Sequence, residues 1–184
     1  MKRKVLSLTC MACLGLSLGL TSCSSTPDQA DSDGTRPDNV IIGMPNPFHD
    51  CESLEEAAAI TGFAITLPAT GTDSVLPEWA GDIVIYRASD VNMKLLEIIY
   101  PSDENLTKEV RIRKAITEKE DMSGDYNSYD SEKEITVGET VVKAKLSGDK
   151  IALVTWCQDG YAYSVHVTDG MDEEGIKALI ATIE

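Results

Sequence analysis

The pattern of apolar and polar positions changes character twice along the chain. A continuous apolar run from Val5 to Leu20 follows Lys2, Arg3 and Lys4 and ends at Leu20-Thr21-Ser22-Cys23. The stretch from Ser24 to about Asn39 then holds almost no large apolar residue, too little to offset the entropy of ordering a chain. The apolar triplet Val40-Ile41-Ile42 and the Pro45-Asn46-Pro47 turn lead into a third region, where apolar residues recur in short clusters.

Those clusters predict discrete elements. Ser53-Leu54-Glu55-Glu56 has the form of a capping box, which starts a helix over Ser53 to Thr61 that Gly62 ends. Phe63 to Leu67 reads as a strand closed by Pro68, and Ala69 to Gly81 as a loop. Further strands are expected at Ile83 to Tyr86, Leu95 to Tyr100, Val110 to Ile116, Ile135 to Val137, Val141 to Leu146, Ile151 to Cys157 and Tyr161 to Val167. In the last of these, Tyr161, Tyr163, Val165 and Val167 share one face, as a half-buried strand requires. Ala162, Ser164, His166 and Thr168 share the other. Asp159-Gly160 is a hairpin-turn signal, so the two final strands pair antiparallel. A closing helix carries Asp172, Glu173 and Glu174 in its favourable first turn, with Ile176, Leu179, Ile180 and Ile183 as its apolar stripe.

The expected fold is α+β: a curved antiparallel sheet of about six or seven strands, with a short N-terminal helix and a C-terminal helix packed on one side. Residues 1–22 read as a leader, 23–45 as Cys23 with a flexible tether, and 46–184 as a single domain.

The charged, apolar, small-residue order of the leader is that of a secretory signal. Its apolar run is shorter than the roughly 20 residues a spanning helix needs. Leu20-Thr21-Ser22-Cys23 resembles the bacterial lipobox, which implies cleavage before Cys23 and diacylglycerol on its thiol. An ordinary signal with an incidental cysteine is the alternative. Each buried methylene contributes about 0.8 kcal/mol, so two acyl chains can hold a protein at a membrane without a spanning helix.

Charge narrows the partners further. The chain has 31 acidic and 16 basic residues, a formal net charge of −15, and loss of the leader removes three of the bases. Phosphate backbones and anionic headgroups repel such a surface, so nucleic acid is excluded as a partner. Of five cysteines, Cys10 and Cys13 lie in the leader and Cys23 is the lipid site. Cys51 and Cys157 remain, either as one disulfide or as two separate buried thiols.

Candidate chemistry is sparse. His49 and His166 are too few and too isolated for a metal site, and no cofactor is implied. Ser164, His166 and Asp169 can be written as a triad, but neighbours on one strand point in parallel directions and do not converge. Asp121 through Glu132 partly imitates a calcium loop, yet Tyr126 stands at the glycine position and Ser128 at the aliphatic one, so a solvated acidic hairpin loop is expected. Tyr126 and Tyr129, with Trp79 and Trp156, offer a contact surface, with core packing the expectation for Trp156. Arg111 and Arg113 share a strand face with Glu109 and would either hold an anion or pair with carboxylates. The Asn105-Leu106-Thr107 sequon would mark glycosylation in a eukaryotic secreted protein, but the lipobox resemblance points to bacteria.

Asn46-Pro47-Phe48, Cys51-Glu52-Ser53-Leu54-Glu55-Glu56-Ala57, Gly62-Phe63, Leu67-Pro68, Ser123-Gly124-Asp125-Tyr126, Thr155-Trp156 and Gly160-Tyr161-Ala162-Tyr163-Ser164 together resemble a poorly characterised family of exported domains. Its members occur in lipoproteins of monoderm bacteria and in the extracytoplasmic part of some anti-sigma factors. The resemblance runs from Asn46 to Glu184 and implies a fold, with no catalytic residues to carry over. The expectation is a lipid-anchored, non-enzymatic binding or sensing module outside the membrane, contacting a protein, peptide or envelope component. A small envelope hydrolase is the alternative.

Overall fold

In the computed structural model, residues 46–117 and 121–184 are described, and Gly43–Glu184 forms one compact unit. The leader, Cys23 and the tether lie outside the described residues. Eight strands occur in chain order as β1 His49–Cys51, β2 Ile85–Ser89, β3 Leu95–Pro101, β4 Glu109–Ala115, β5 Ser131–Val137, β6 Thr140–Ser147, β7 Lys150–Gln158 and β8 Tyr161–Met171. Helix α1 spans Leu54–Thr61 and α2 spans Glu173–Ile180. The strands make one antiparallel sheet in the order β1-β2-β3-β4-β8-β7-β6-β5.

Local chemistry builds the elements as the pattern predicts. Ser53 Oγ accepts from the Glu56 amide at 3.2 Å, and Gly62 ends α1 with φ +82°, a conformation that costs a glycine little. The Glu56 carboxylate reaches one residue beyond the cap, to the Glu52 amide at 2.8 Å. Asp159 and Gly160 both have positive φ and turn β7 into β8 in register Gln158↔Tyr161. Asp172 caps α2 by accepting from the Gly175 amide at 2.7 Å.

Register divides the sheet into two unlike faces, because directly paired residues point to the same side. Leu96, Ile98 and Tyr100 of β3, Val110 and Ile112 of β4, Tyr163 and Val165 of β8, and Val154 and Trp156 of β7 lie on one face, the floor of the main core. Arg87, Glu97, Arg113, Ser164, Thr155 and Lys143 run in direct register across the other.

Four expectations need correction. The sheet has eight strands, and the extra one, β1, is a three-residue strand whose pairing with β2 supplies the order its sequence lacks. Phe63 to Leu67 is not a strand. Phe63 and Ile65 are buried, but the segment lies across the apolar face, not at a sheet edge, so it has no strand to pair with. Its backbone is satisfied by Lys114 Nζ on the Ala64 carbonyl at 2.8 Å and by the Thr66 amide on the Glu184 carbonyl at 3.0 Å. The two helices therefore cover opposite ends of the core, α1 over β1–β3 and α2 over β5, β7 and β8, with this irregular segment contributing to the core as well.

Cys51 and Cys157 are both free thiols. Five strand spacings separate β1 from β7, roughly 24 Å along the sheet at about 4.8 Å each, where a disulfide needs Cα atoms within about 7 Å. Nor are both buried: Cys157 is exposed and Cys51 half-buried.

Candidate functional site

The second sheet face carries the polar chemistry. Glu97 on β3 is only 3% exposed, and its carboxylate is surrounded by three guanidinium groups. Arg113 binds it through Nε at 2.7 Å and a terminal nitrogen at 2.6 Å, Arg87 approaches at 3.5 Å, and Arg111 Nε stands 3.7 Å away. Arg111 also pairs with Glu109, and Arg87 with Asp50 at 2.8 Å. The Arg111 and Arg113 pair is thus matched by carboxylates and is not a free anion cradle. The sequence signal for this was Glu97 itself, a lone acid within Leu95-Leu96-Glu97-Ile98-Ile99.

The connection that follows β4 is not a hairpin loop: its described residues 121–130 cross this face. The connection joins β4 to β5, which lies four strand spacings away at the sheet edge, about 19 Å. We call the described part, Asp121–Asp130, the strap. Arg113 donates to the carbonyls of Met122, at 3.3 Å, and Ser123. Lys145 on β6 binds Asp121 at 2.9 Å, and the Asp130 amide donates to the Leu146 carbonyl at 2.9 Å. Met122 is buried in a small second cluster with Leu95, Ala115 and Ala162, bordered by Phe48 and Met93.

The strap's oxygens are already engaged within the protein. Asp121 Oδ1 accepts from the Ser123 amide and hydroxyl, and Asp125 accepts from the Asn127 amide at 2.8 Å and from the Tyr129 hydroxyl. Burial works against ionisation of both aspartates, but these hydrogen bonds and Lys145 hold their carboxyls below the usual range. Burial and the neighbouring Asp125 carboxylate push the Tyr129 hydroxyl up. No cluster of three or more metal-ligating side chains occurs among the described residues.

His166 faces Asp125 across 3.8 Å, with Arg111, Glu109 and Arg113 as further charged neighbours. Burial lowers its pKa, with Asp125 opposing. Its Nδ1 is buried without a partner, which fits a neutral ring carrying its proton on Nε2 toward Asp125. Ser164 is buried beside it, while Asp169 pairs with Lys108 at 2.6 Å, so Ser164, His166 and Asp169 do not form a relay. Trp156 is core, stacked on Tyr163 at 4.9 Å, and Trp79 packs against the same cluster.

At one end of this face the strap and the β2–β3 turn enclose a groove of about 400 Å³. Phe48, Val91, Met93, Leu95 and Met122 supply its apolar wall, and Tyr126 stands at its mouth, 96% exposed. Of the tyrosines expected to form a contact surface, Tyr126 is thus free and Tyr129 is tied to Asp125. Sequence reading missed Phe48, Val91 and Met93, which are distant in sequence from the strap and are brought to it by sheet order alone.

Compared with models of protein families, with curated proteins and with solved structures, the chain matches none.

Proposed function

We propose that this protein is an extracytoplasmic binding module, held at the outer face of the membrane by lipid on Cys23, and that it contacts a protein, peptide or envelope component without catalysing a reaction on it. The observation that carries this reading is the exposed Tyr126 at the mouth of a mainly apolar groove. A tyrosine with almost no contact of its own is a residue type enriched where proteins bind. The surrounding polar groups support the same reading. Glu97 holds Arg113, Arg113 holds the strap carbonyls of Met122 and Ser123, and Asp121 is tied to Lys145, an arrangement that fixes a surface. The lipobox resemblance and the resemblance to exported lipoprotein domains supply the location.

Two measurements in intact cells test it. Cys23→Ala should abolish incorporation of labelled palmitate, and continued labelling would remove the anchor. A photo-crosslinking side chain at position 126 should yield one reproducible adduct with an envelope component. Failure to form any adduct, together with turnover of an ester or peptide panel that His166→Ala abolishes, would replace the binding reading with the hydrolase.

A further inference from the structure

Resting on the binding reading, we infer that a polar pocket between the strap and strands β4 and β8 takes a neutral, polyhydroxylated ligand, a saccharide, with the Tyr126 ring as its stacking surface. The pocket, of about 290 Å³, is distinct from the apolar groove and shares only Gly124 with it. No apolar side chain lines it. Glu109 and Arg111 come from β4, His166 from β8, and Ser123, Asp125 and Asn127 from the strap.

Charge decides what the pocket refuses. Arg111 pairs with Glu109, and His166 faces Asp125 at 3.8 Å. An anion entering it meets two carboxylates and a cation meets the Arg111 guanidinium, so a neutral ligand alone escapes a like charge. Hydrogen-bonding capacity decides what it accepts. Arg111 Nε and His166 Nδ1 are both buried without a partner, the first a donor and the second, in a neutral ring with its proton on Nε2, an acceptor. Arg111 and His166 stand in direct register on neighbouring strands, so adjacent ring hydroxyls can accept from one and donate to the other. The carboxylates of Glu109 and Asp125 keep lone pairs beyond their internal bonds for further hydroxyls.

Hydroxyls alone describe water as well as sugar, and Tyr126 separates the two. It is 96% exposed and flanked in sequence by the lining residues Asp125 and Asn127. The electron-rich face of a tyrosine ring packs against polarised C–H bonds, which a sugar ring presents on one face while its hydroxyls point outward from the edge.

The test uses the chain Ser24–Glu184 and saturation-transfer NMR with glucose, N-acetylglucosamine and their β-linked trisaccharides, followed by calorimetry on the tightest. Glucuronate and glucosamine carry a charge on the same ring and should bind more weakly. Tyr126→Ala should weaken the best sugar about tenfold without moving the urea midpoint. Arg111→Lys keeps a cation beside Glu109 but removes Nε, and should weaken it by about the same factor. Val141→Ser, at the exposed apolar residue on β6, should change nothing.

Saturation of none of these sugars overturns the inference, as does equal binding of a charged counterpart or indifference to both Tyr126→Ala and Arg111→Lys. A protein adduct at position 126 in cells, without sugar binding, would remove the saccharide and leave the binding reading standing. A glycan adduct that Arg111→Lys diminishes supports both.

Discussion

The two faces of the sheet each bury charge, and they do so by opposite means. On the apolar face one cation, Lys114, sits 7% exposed among aromatic rings, with Nζ 4.5 Å from the Tyr161 ring and 5.3 Å from that of Tyr163. Its Nζ donates to the Ala64 carbonyl at 2.8 Å, and burial draws its pKa below the usual lysine range while Asp159 opposes. On the polar face Glu97 is buried just as deeply, but among guanidinium groups that also hold the strap. A buried charge embedded in packing can be exchanged for packing; a buried charge on which other charges depend cannot.

Glu97→Leu should therefore give the largest loss, about 3–5 kcal/mol, because it leaves the partly buried Arg113 without its counterion. Urea unfolding measures it. Adding Arg113→Met to the same protein should recover part of the loss, since removing both partners relieves the orphaned charge. A double variant no better than the single one would show that Glu97 acts through its shape and not its charge.

Gly124→Ala probes how tightly the strap is seated. Gly124 has φ +64°, and a Cβ there would collide with the Arg113 guanidinium. The backbone strain and the displaced guanidinium together should cost about 1–2 kcal/mol and raise proteolytic cleavage within the strap. Unchanged stability and protection would mean that the strap rests on the face without depending on Arg113.

Lys114→Met, the matching exchange on the apolar face, should stay within about 1 kcal/mol of the parent. The methionine fills the space among Phe63, Tyr161 and Tyr163, and the Ala64 carbonyl loses its donor. A loss as large as that of Glu97→Leu would erase the distinction between the faces.

Acid separates the faces without mutation. His166 has a folded pKa below its unfolded value of 6.5, so the unfolded chain binds the proton first. Its contribution is complete above pH 6.5 and declines as pH falls toward the folded value. Asp121 and Asp125, whose folded pKa values are also depressed, keep their contribution above their ordinary range near pH 4 and lose it as pH falls through the folded values. Urea midpoints should decline from pH 7 to pH 5, and His166→Asn should flatten that segment only.

How much of this was legible depends on the reach of each interaction. The Ser53 cap, the Gly62 stop, the Asp159-Gly160 turn and the alternation of β8 are decided within a few residues, and the pattern shows them. Period two in β4 placed Arg111 and Arg113 on one face. By the same rule Lys114 faces the core, a consequence open to sequence reading but not drawn from it. β1 could not be read, because three residues become a strand only beside β2. The strap looked like a hairpin loop because nothing near Asp121 reveals that β8 and β7 insert between β4 and β6. The groove combines both difficulties, since Phe48, Met93 and Tyr126 meet only after the sheet is ordered.

The smallest effect expected concerns the two thiols at distant positions in the sheet. Cys51→Ser with Cys157→Ser should leave the unfolding midpoint nearly unchanged, and the untreated protein should show two alkylatable groups by mass spectrometry without a reductant. Their rates should differ. Cys157 is exposed, whereas burial and the Glu56 carboxylate push the Cys51 thiol above its ordinary pKa and so lower its thiolate fraction. Cys157 should therefore label first. A linked peptide containing both cysteines would require β1 and β7 to approach within disulfide reach, which this strand order forbids.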